Sequence, residues 1–232
     1  MLQFGIFRSR LYIVTGNITN YFLTINPIGS IKLDIIIDKM KNIIKIASFS
    51  AIALLTTMNA NAKAEKFILD PTHTNITWSA NHVGFSNPNG KFAKSSGVMF
   101  LDETNPAKSS VQVEIDMSGI ITGFEAFDKH LKSADFFNSE KFKTAKFVST
   151  KVEVLSKDTA KIHGKLTLLG VTKPVILEAK LNKIGEHPFT KKKTAGFSAT
   201  TTIKRSEFGI KYGIPMVSDD VKLSVEVEGS VE

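Results

Sequence analysis

Apolar and polar side chains alternate along most of the sequence after residue 64. The letters VQVEIDM, residues 111–117, place an apolar side chain at every second position, and residues 221–231 repeat the pattern. A period of two is typical of half-buried antiparallel strands. About eight such segments, joined by short turns containing Gly, Asn, Asp and Pro, predict an all-β protein. A sheet of this size with one apolar face must close or pair, so we expect an antiparallel barrel.

One region interrupts the alternation, between residues 117 and 145. Within it, Phe124, Phe127 and Leu131 follow the i, i+3, i+7 spacing of one helical stripe, which predicts a short helical insertion. The rest of this insertion combines many lysines with large rings that no single helical stripe collects. These rings are Phe136, Phe137, Phe142 and Phe147.

The sequence from Met40 to Ala62 has the organisation of a secretory signal peptide. Lys41 and Lys45 are followed by an apolar run over residues 46–55 and by Ala-Asn-Ala at 60–62. We therefore predict export to the periplasm, with cleavage after Ala62 or two residues later. Residues 1–39 precede a good initiator methionine, and we predict that they reflect a start codon called too early. The alternative is an uncleaved N-terminal extension. Folding then begins near residue 63, with enough chain for one domain.

Charge and motifs exclude several classes of function. Residues 1–62 hold six Lys or Arg and two Asp, whereas the remainder holds 24 Lys or Arg and 20 acids, so each part has a net charge of +4. This mixed surface lacks the dense basic stripe of a nucleic-acid-binding protein. Cysteine is absent. Hydrolase, phosphate-loop and dinucleotide motifs are also absent, so we expect neither an enzyme nor a cofactor.

Four separated motifs resemble the YceI-like family of bacterial periplasmic proteins. They are LDPTHTNITWSANHVGFSNPNGKF (69–92), FDKHLKSADFFNSEKFKTAKFVST (127–150), GKLTLLGVTKPV (164–175) and RSEFGIKYG (205–213). The resemblance covers essentially all of residues 63–232. It implies a lipocalin-like barrel that binds a polyisoprenoid or other long-chain lipid, with the helical insertion at the barrel mouth. It also implies dimerisation, which is common in that family.

An apolar lining is what a long hydrocarbon chain requires of its binding site. For each aromatic or aliphatic candidate the alternative is plain core packing. The candidate lining residues are Ile76, Trp78, Phe92, Phe100, Phe124, Phe127, Leu131, Phe136, Phe137, Phe142 and Phe147.

Three polar residues are candidates for contact with a lipid head group. His82 shares a strand face with Trp78, and His130 lies beside the phenylalanines of the insertion. Arg205 offers a planar fork suited to phosphate or carboxylate. Its alternative role is a structural ion pair with an acid such as Asp128 or Asp135.

A metal site is not expected from the histidines. His73, His82 and His130 are nine and 48 residues apart, spacings that match no compact ligand motif.

We therefore predict a carrier that holds an isoprenoid lipid, either a polyprenyl phosphate or an isoprenoid quinone. Transient contact with the inner membrane is expected, and nucleic acid is not a partner. One alternative is a redox accessory or enzyme that uses the same pocket on a bound quinone. Another is a stress-induced structural protein whose lipid is incidental.

Overall fold

The computed structural model describes residues 64–232, which form eleven strands and one α-helix. The predicted extension over residues 1–39 and the predicted signal peptide over residues 40–62 lie outside the described residues. The elements are β1 (Glu65–Leu69), β2 (Asn75–His82), β3 (Asn89–Phe92), β4 (Ser95–Leu101), β5 (Ser110–Asp116), β6 (Ile120–Ile121), α1 (Glu125–Lys132), β7 (Thr144–Val154), β8 (Thr159–Leu168), β9 (Val171–Glu186), β10 (Lys193–Lys204) and β11 (Val217–Val231).

Eight of the strands close into an antiparallel barrel. Their order is β1-β4-β5-β7-β8-β9-β10-β11, and β11 returns to pair with β1. Within each strand the apolar residues at alternate positions are the less exposed ones, as in β8, where Leu166 and Leu168 are buried. The antiparallel barrel of about eight strands predicted from the alternation is confirmed.

The sheet branches at β11, which pairs with β1 over one part of its length and with β2 over another. Strand β11 pairs with β1 at its C-terminal end, through Phe67 and Val231, and with β2 along its N-terminal half, through Trp78 and Leu223. From there β1 continues to β4, whereas β2 continues to β3 and β6. Within residues 64–232 no strand pairing joins β6 to β7. The insertion that contains α1 connects these two strands.

The closed end of the barrel is filled. A cluster formed by Phe67, Leu69, Met99 and Ala195 is almost completely buried there. A Cβ atom added to Gly229 would lie 2.8 Å from Cε of Met99, closer than Cβ atoms are found in real structures. Glycine at this position lets the core approach the backbone.

Helix α1 confirms the predicted helical insertion at the barrel mouth. Its first turn carries Glu125 and Asp128 and its last turn Lys129 and Lys132, so its charges complement the helix dipole. Asp128 also accepts hydrogen bonds from the main-chain N–H and the hydroxyl of Thr122, both at 2.6 Å. These bonds lower the pKa of Asp128 and fasten the helix to the end of β6. No helix within residues 64–232 has the length and hydropathy of a membrane span.

Candidate functional site

A cavity of about 540 Å³ occupies the end of the barrel beside α1. This volume lies within the range of about 300–1,000 Å³ found for ligand pockets. Inward-facing apolar side chains of β2, β5, β7, β8, β10 and β11 form its wall, and no carboxylate lines it among the described residues. The polar side chains along it are His82, Ser86, His130, Arg205 and Tyr212.

Ten of the fourteen residues predicted for the site line this cavity. They include strand residues on inward faces, residues of the helical stripe, and the two adjacent rings after α1. Their placement agrees with the sequence-based expectation, and their contact with a ligand stays a prediction. The ten are Ile76, Trp78, His82, Phe92, Phe127, His130, Leu131, Phe136, Phe137 and Arg205.

Two predicted lining residues point away from the cavity. Phe100 lies on the outer face of β4, because the neighbouring Met99 takes the inward position. Phe124 is 73% exposed, because α1 begins only at Glu125 and Phe124 still has an extended backbone, with φ of −124°. A helical spacing of residues holds only inside the helix. The prediction that Phe100 and Phe124 line the cavity is wrong.

Two further predicted residues pack elsewhere. Phe147 is buried in β7 with its ring against Gly164 of β8, where an added Cβ would lie 2.2 Å from the ring. Phe142 lies beside Gly170 in the turn between β8 and β9, and Nζ of Lys141 is 5.2 Å from the centre of its ring. Both rings pack against neighbouring strands and turns and do not border the cavity, so the prediction that they line it is wrong.

Aromatic contacts dock the insertion onto the barrel. The ring centres of Phe127 and Trp78 are 6.2 Å apart, and those of Phe137 and Phe92 are 5.8 Å apart, each pair meeting edge to face. Such pairs contribute about 0.5–1.5 kcal/mol beyond the area that they bury. The rings of Phe127 and Phe137 therefore face the cavity and attach the insertion to the barrel wall.

The opening of the cavity is framed by three further rings. Phe136 lies 4.9 Å from His130 and 5.3 Å from Tyr212, measured between ring centres. His130 and Tyr212 are themselves 5.1 Å apart. This cluster joins α1 to the loop between β10 and β11.

Arg205 is buried, with 6% of its surface exposed, and binds main-chain carbonyl groups. Its Nε donates to Ser218 at 2.9 Å, its Nη1 to Tyr212 at 2.8 Å and its Nη2 to Val217 at 3.0 Å. A longer bond of 3.4 Å joins Nη1 to the carbonyl of Ile210. Burial lowers the pKa of Arg205. Its main role is to hold the β10–β11 loop.

The proposed ion pair of Arg205 with Asp128 or Asp135 is wrong. Asp128 accepts from Thr122, and Asp135 lies 3.3 Å from Nε2 of His130. Arg205 binds main-chain carbonyl groups of a loop where a carboxylate was expected. The sequence does not reveal such a partner, because every residue has a carbonyl group and these converge only in the folded loop.

The histidines considered as metal ligands do not come together. His73 lies in the turn between β1 and β2, with Nδ1 2.7 Å from Oδ2 of Asp70, whereas His82 and His130 line the cavity. In the part of the chain that the structure describes, no three His, Asp or Glu side chains could hold a metal ion together.

Sequence reasoning missed Tyr212 as a site residue. Tyr212 is the tyrosine of the segment RSEFGIKYG, and its ring borders the opening of the cavity. Its place in a matching motif was the available signal. Met117 and Leu223 were assigned to inward faces by the alternation, which indicates a buried face but not whether that face borders empty space.

Residues 67–229 match the family model described as the YceI-like domain. This chain belongs to the YceI-like family. A UPF0312 protein of Pseudomonas aeruginosa strain LESB58 is 40% identical over 177 residues, which are 76% of this chain and 92% of the relative. A UPF0312 protein of Pseudomonas putida strain W619 is 37% identical over 177 residues, 76% of this chain and 91% of the relative.

Three solved structures share the fold of this chain. The YCEI protein of Campylobacter jejuni has a TM-score of 0.58 at 30% identity and covers 66% of this chain and 90% of its own. BcnA of Burkholderia cenocepacia has a TM-score of 0.63 at 22% identity, over 69% and 98%. A polyisoprenoid binding domain from Saccharophagus degradans has a TM-score of 0.57 at 13% identity, over 73% and 100%. The last two likenesses concern the fold alone.

Proposed function

We propose that this protein binds a long-chain isoprenoid lipid in its barrel cavity and carries it through the periplasm. The observation that carries the proposal is a cavity of about 540 Å³ with an almost wholly apolar wall, closed at one end and framed by rings at the other. The fold is shared with a domain described as polyisoprenoid binding. The signal-peptide pattern over residues 40–62 supports the periplasm.

The cavity wall can bind such a ligand without polar contacts. Each CH₂-sized unit of hydrocarbon moved out of water contributes about 0.8 kcal/mol. A few isoprene units along Trp78, Phe92 and Phe137 would therefore bind tightly. Filling a space that is otherwise empty also restores packing contacts that the wall lacks.

The polar groups favour a neutral head group over a phosphate. Arg205 directs its donors to main-chain carbonyl groups, and His130 lies beside the carboxylate of Asp135. Phosphate sites use charged forks or clustered N–H groups aimed at the anion. A quinone ring instead needs one or two donors and aromatic neighbours, which Tyr212 and His130 provide. An isoprenoid quinone is therefore the preferred ligand.

Binding is favoured over catalysis because the wall of the cavity is almost wholly apolar. Among the described residues, none of the side chains of His82, His130, Arg205 and Tyr212 donates a hydrogen bond to another of the four. We therefore propose a carrier rather than a quinone-converting enzyme.

Trp78 provides the test, because it is the only tryptophan of the chain and lines the cavity. The purified protein, freed of lipid, is titrated with a short-tailed isoprenoid quinone, which quenches tryptophan emission. Saturable quenching is expected, with weaker competition from a prenyl phosphate of equal tail length. Absence of quenching would contradict binding. Reduction of the quinone by an added electron donor, faster with the protein than without it, would favour the enzyme instead.

A further inference from the structure

Two loops at the cavity opening expose large apolar side chains to solvent. We call them the mouth loops, residues 83–88 between β2 and β3 and residues 209–216 between β10 and β11. Phe85 is 91% exposed and Met216 is 61% exposed, and Tyr212 is also exposed. Large apolar side chains that share one exposed face mark an interaction site more often than an ordinary surface.

The mouth loops form one ordered surface. The N–H of Val83 in the first loop donates to the carbonyl of Met216 in the second at 2.9 Å. Val83 has a positive φ of 57°, a conformation that β-branched residues avoid. The N–H of Phe85 donates to the carbonyl of His82 at 3.0 Å. These main-chain hydrogen bonds fix the backbone from which the exposed side chains of Phe85 and Met216 project.

The same loops also reach into the cavity. Ser86 and Pro88 of the first loop and Ile210 and Tyr212 of the second line it. A hydrocarbon chain that leaves the cavity between them would pass directly onto the face that Phe85 and Met216 present. The exposed face is thus continuous with the lipid site.

The charge of the mouth loops suits an anionic lipid surface. Their sequences, VGFSNP and GIKYGIPM, contain one lysine, Lys211, and no carboxylate. Aromatic and other apolar side chains insert at the level of the lipid head groups, and basic residues beside them are attracted to anionic lipids. The two loops themselves carry no acid, and the exposed carboxylate of Asp135 beside the opening lies 3.3 Å from Nε2 of His130.

We propose that the mouth loops dock on the surface of an anionic bilayer, so that the ligand moves between bilayer and cavity without crossing water. The proposal rests on the proposed lipid-carrying function and adds the place at which lipid is exchanged. Phe85, Met216 and Tyr212 enter the interfacial layer, and Lys211 lies among the phosphate groups.

Flotation with lipid vesicles tests this docking. The purified protein, with its N terminus determined by mass spectrometry, is mixed with vesicles of equal parts phosphatidylethanolamine and phosphatidylglycerol. The variant carrying Phe85→Ser and Met216→Ser, with the same N terminus, should bind about tenfold more weakly. The matched control is Phe189→Ser. Phe189 is 88% exposed and lies beyond the other end of β10, roughly 40 Å of strand away.

Equal flotation of the mouth variant and the wild type would overturn the proposal. A second result would also overturn it. If the wild type forms a dimer in lipid-free solution, and the mouth variant is monomeric but binds vesicles equally well, then a second copy of the chain covers the mouth loops. Native mass spectrometry of the same samples separates this outcome from a failure of lipid carriage. A mouth variant that retains its lipid but no longer binds vesicles supports docking. Docking is also supported if the wild-type protein contains no lipid and floats with the vesicles, whereas the mouth variant does not float.

Discussion

The guanidinium group of Arg205 donates a 2.8 Å hydrogen bond to the main-chain carbonyl of Tyr212. A buried cation thus holds the loop whose aromatic side chain borders the cavity. Because Tyr212 also contacts His130 and Phe136, the position of Arg205 affects the contact between the loop and the insertion. The arginine acts on the site through the backbone.

Replacement of Arg205 should destabilise the barrel and loosen its opening. Arg205→Met would leave the partly buried carbonyl groups of Tyr212, Val217 and Ser218 without this donor. A fully buried acceptor left unsatisfied costs about 1–3 kcal/mol, and a partly buried one costs less. Arg205→Lys should recover only part of this loss, since an ammonium group cannot reproduce the fork. Urea unfolding measures the free energy of unfolding.

The neighbouring Lys204 supplies the control for this substitution. Its ammonium group pairs with Asp220 on the surface at 2.8 Å, so Lys204→Met should change stability little. An Arg205→Met protein as stable as the wild type would show that the carbonyl groups find other partners.

A carboxylate inside the cavity should expel the lipid. Phe136→Asp places a charge next to the apolar wall, whereas Phe124→Asp places it on the exposed side of the same insertion. Phe136 is half-buried, so a carboxylate there would lose part of its hydration beside apolar neighbours, which is unfavourable. Lipid extracted from the folded variants should fall at least tenfold for Phe136→Asp and stay unchanged for Phe124→Asp. Equal lipid content in both would refute the assignment of Phe136 to the cavity wall.

The alternation predicted the strands because water and core impose a period of two on any half-buried sheet. It could not tell the filled end around Phe67 and Ala195 from the hollow end around Trp78, since both present inward apolar residues. Phe124 was predicted to lie on the helical stripe, but the helix begins one residue later, at Glu125. Arg205 was misread because its partners are carbonyl groups that converge only when a loop folds.

Gly164 should be intolerant of a side chain. A Cβ atom there would lie 2.2 Å from the ring of Phe147, whereas the nearest atoms to a Cβ on Gly196 are 3.9 Å away. Gly164→Ala must move a buried ring, and such overpacking costs about 1–3 kcal/mol. Gly196→Ala, at a position without positive φ, should be neutral or slightly stabilising. Chemical denaturation of both variants checks this difference, and equal midpoints would contradict the packing described for Phe147.

The ion pair between His73 and Asp70 should make stability depend on pH. The hydrogen bond between them raises the pKa of His73 above its usual 6.5 and lowers that of Asp70 below its usual 3.8. The contribution of His73 is complete below pH 6.5 and is lost as the pH rises through its raised pKa. The contribution of Asp70 is present above pH 3.8 and is lost as the pH falls through its lowered pKa.

NMR titration of the imidazole group measures this coupling. The pKa of His73 should lie above 6.5 in the wild type and return toward 6.5 in Asp70→Asn. The stability difference between the two proteins should be largest between pH 3.8 and 6.5. An unchanged His73 titration in Asp70→Asn would mean that the pair does not form in solution.

The most direct measurement is native mass spectrometry of the protein purified without detergent, compared with a variant whose cavity is filled. Ala80 is a small residue on the cavity wall, so the ring introduced by Ala80→Phe should occupy the space of the ligand without unfolding the barrel. Ala195→Phe, in the filled end, should instead destabilise the fold. We predict one long-chain lipid per wild-type chain and none in folded Ala80→Phe. A wild-type protein without lipid that also takes up no isoprenoid quinone on incubation would contradict the account.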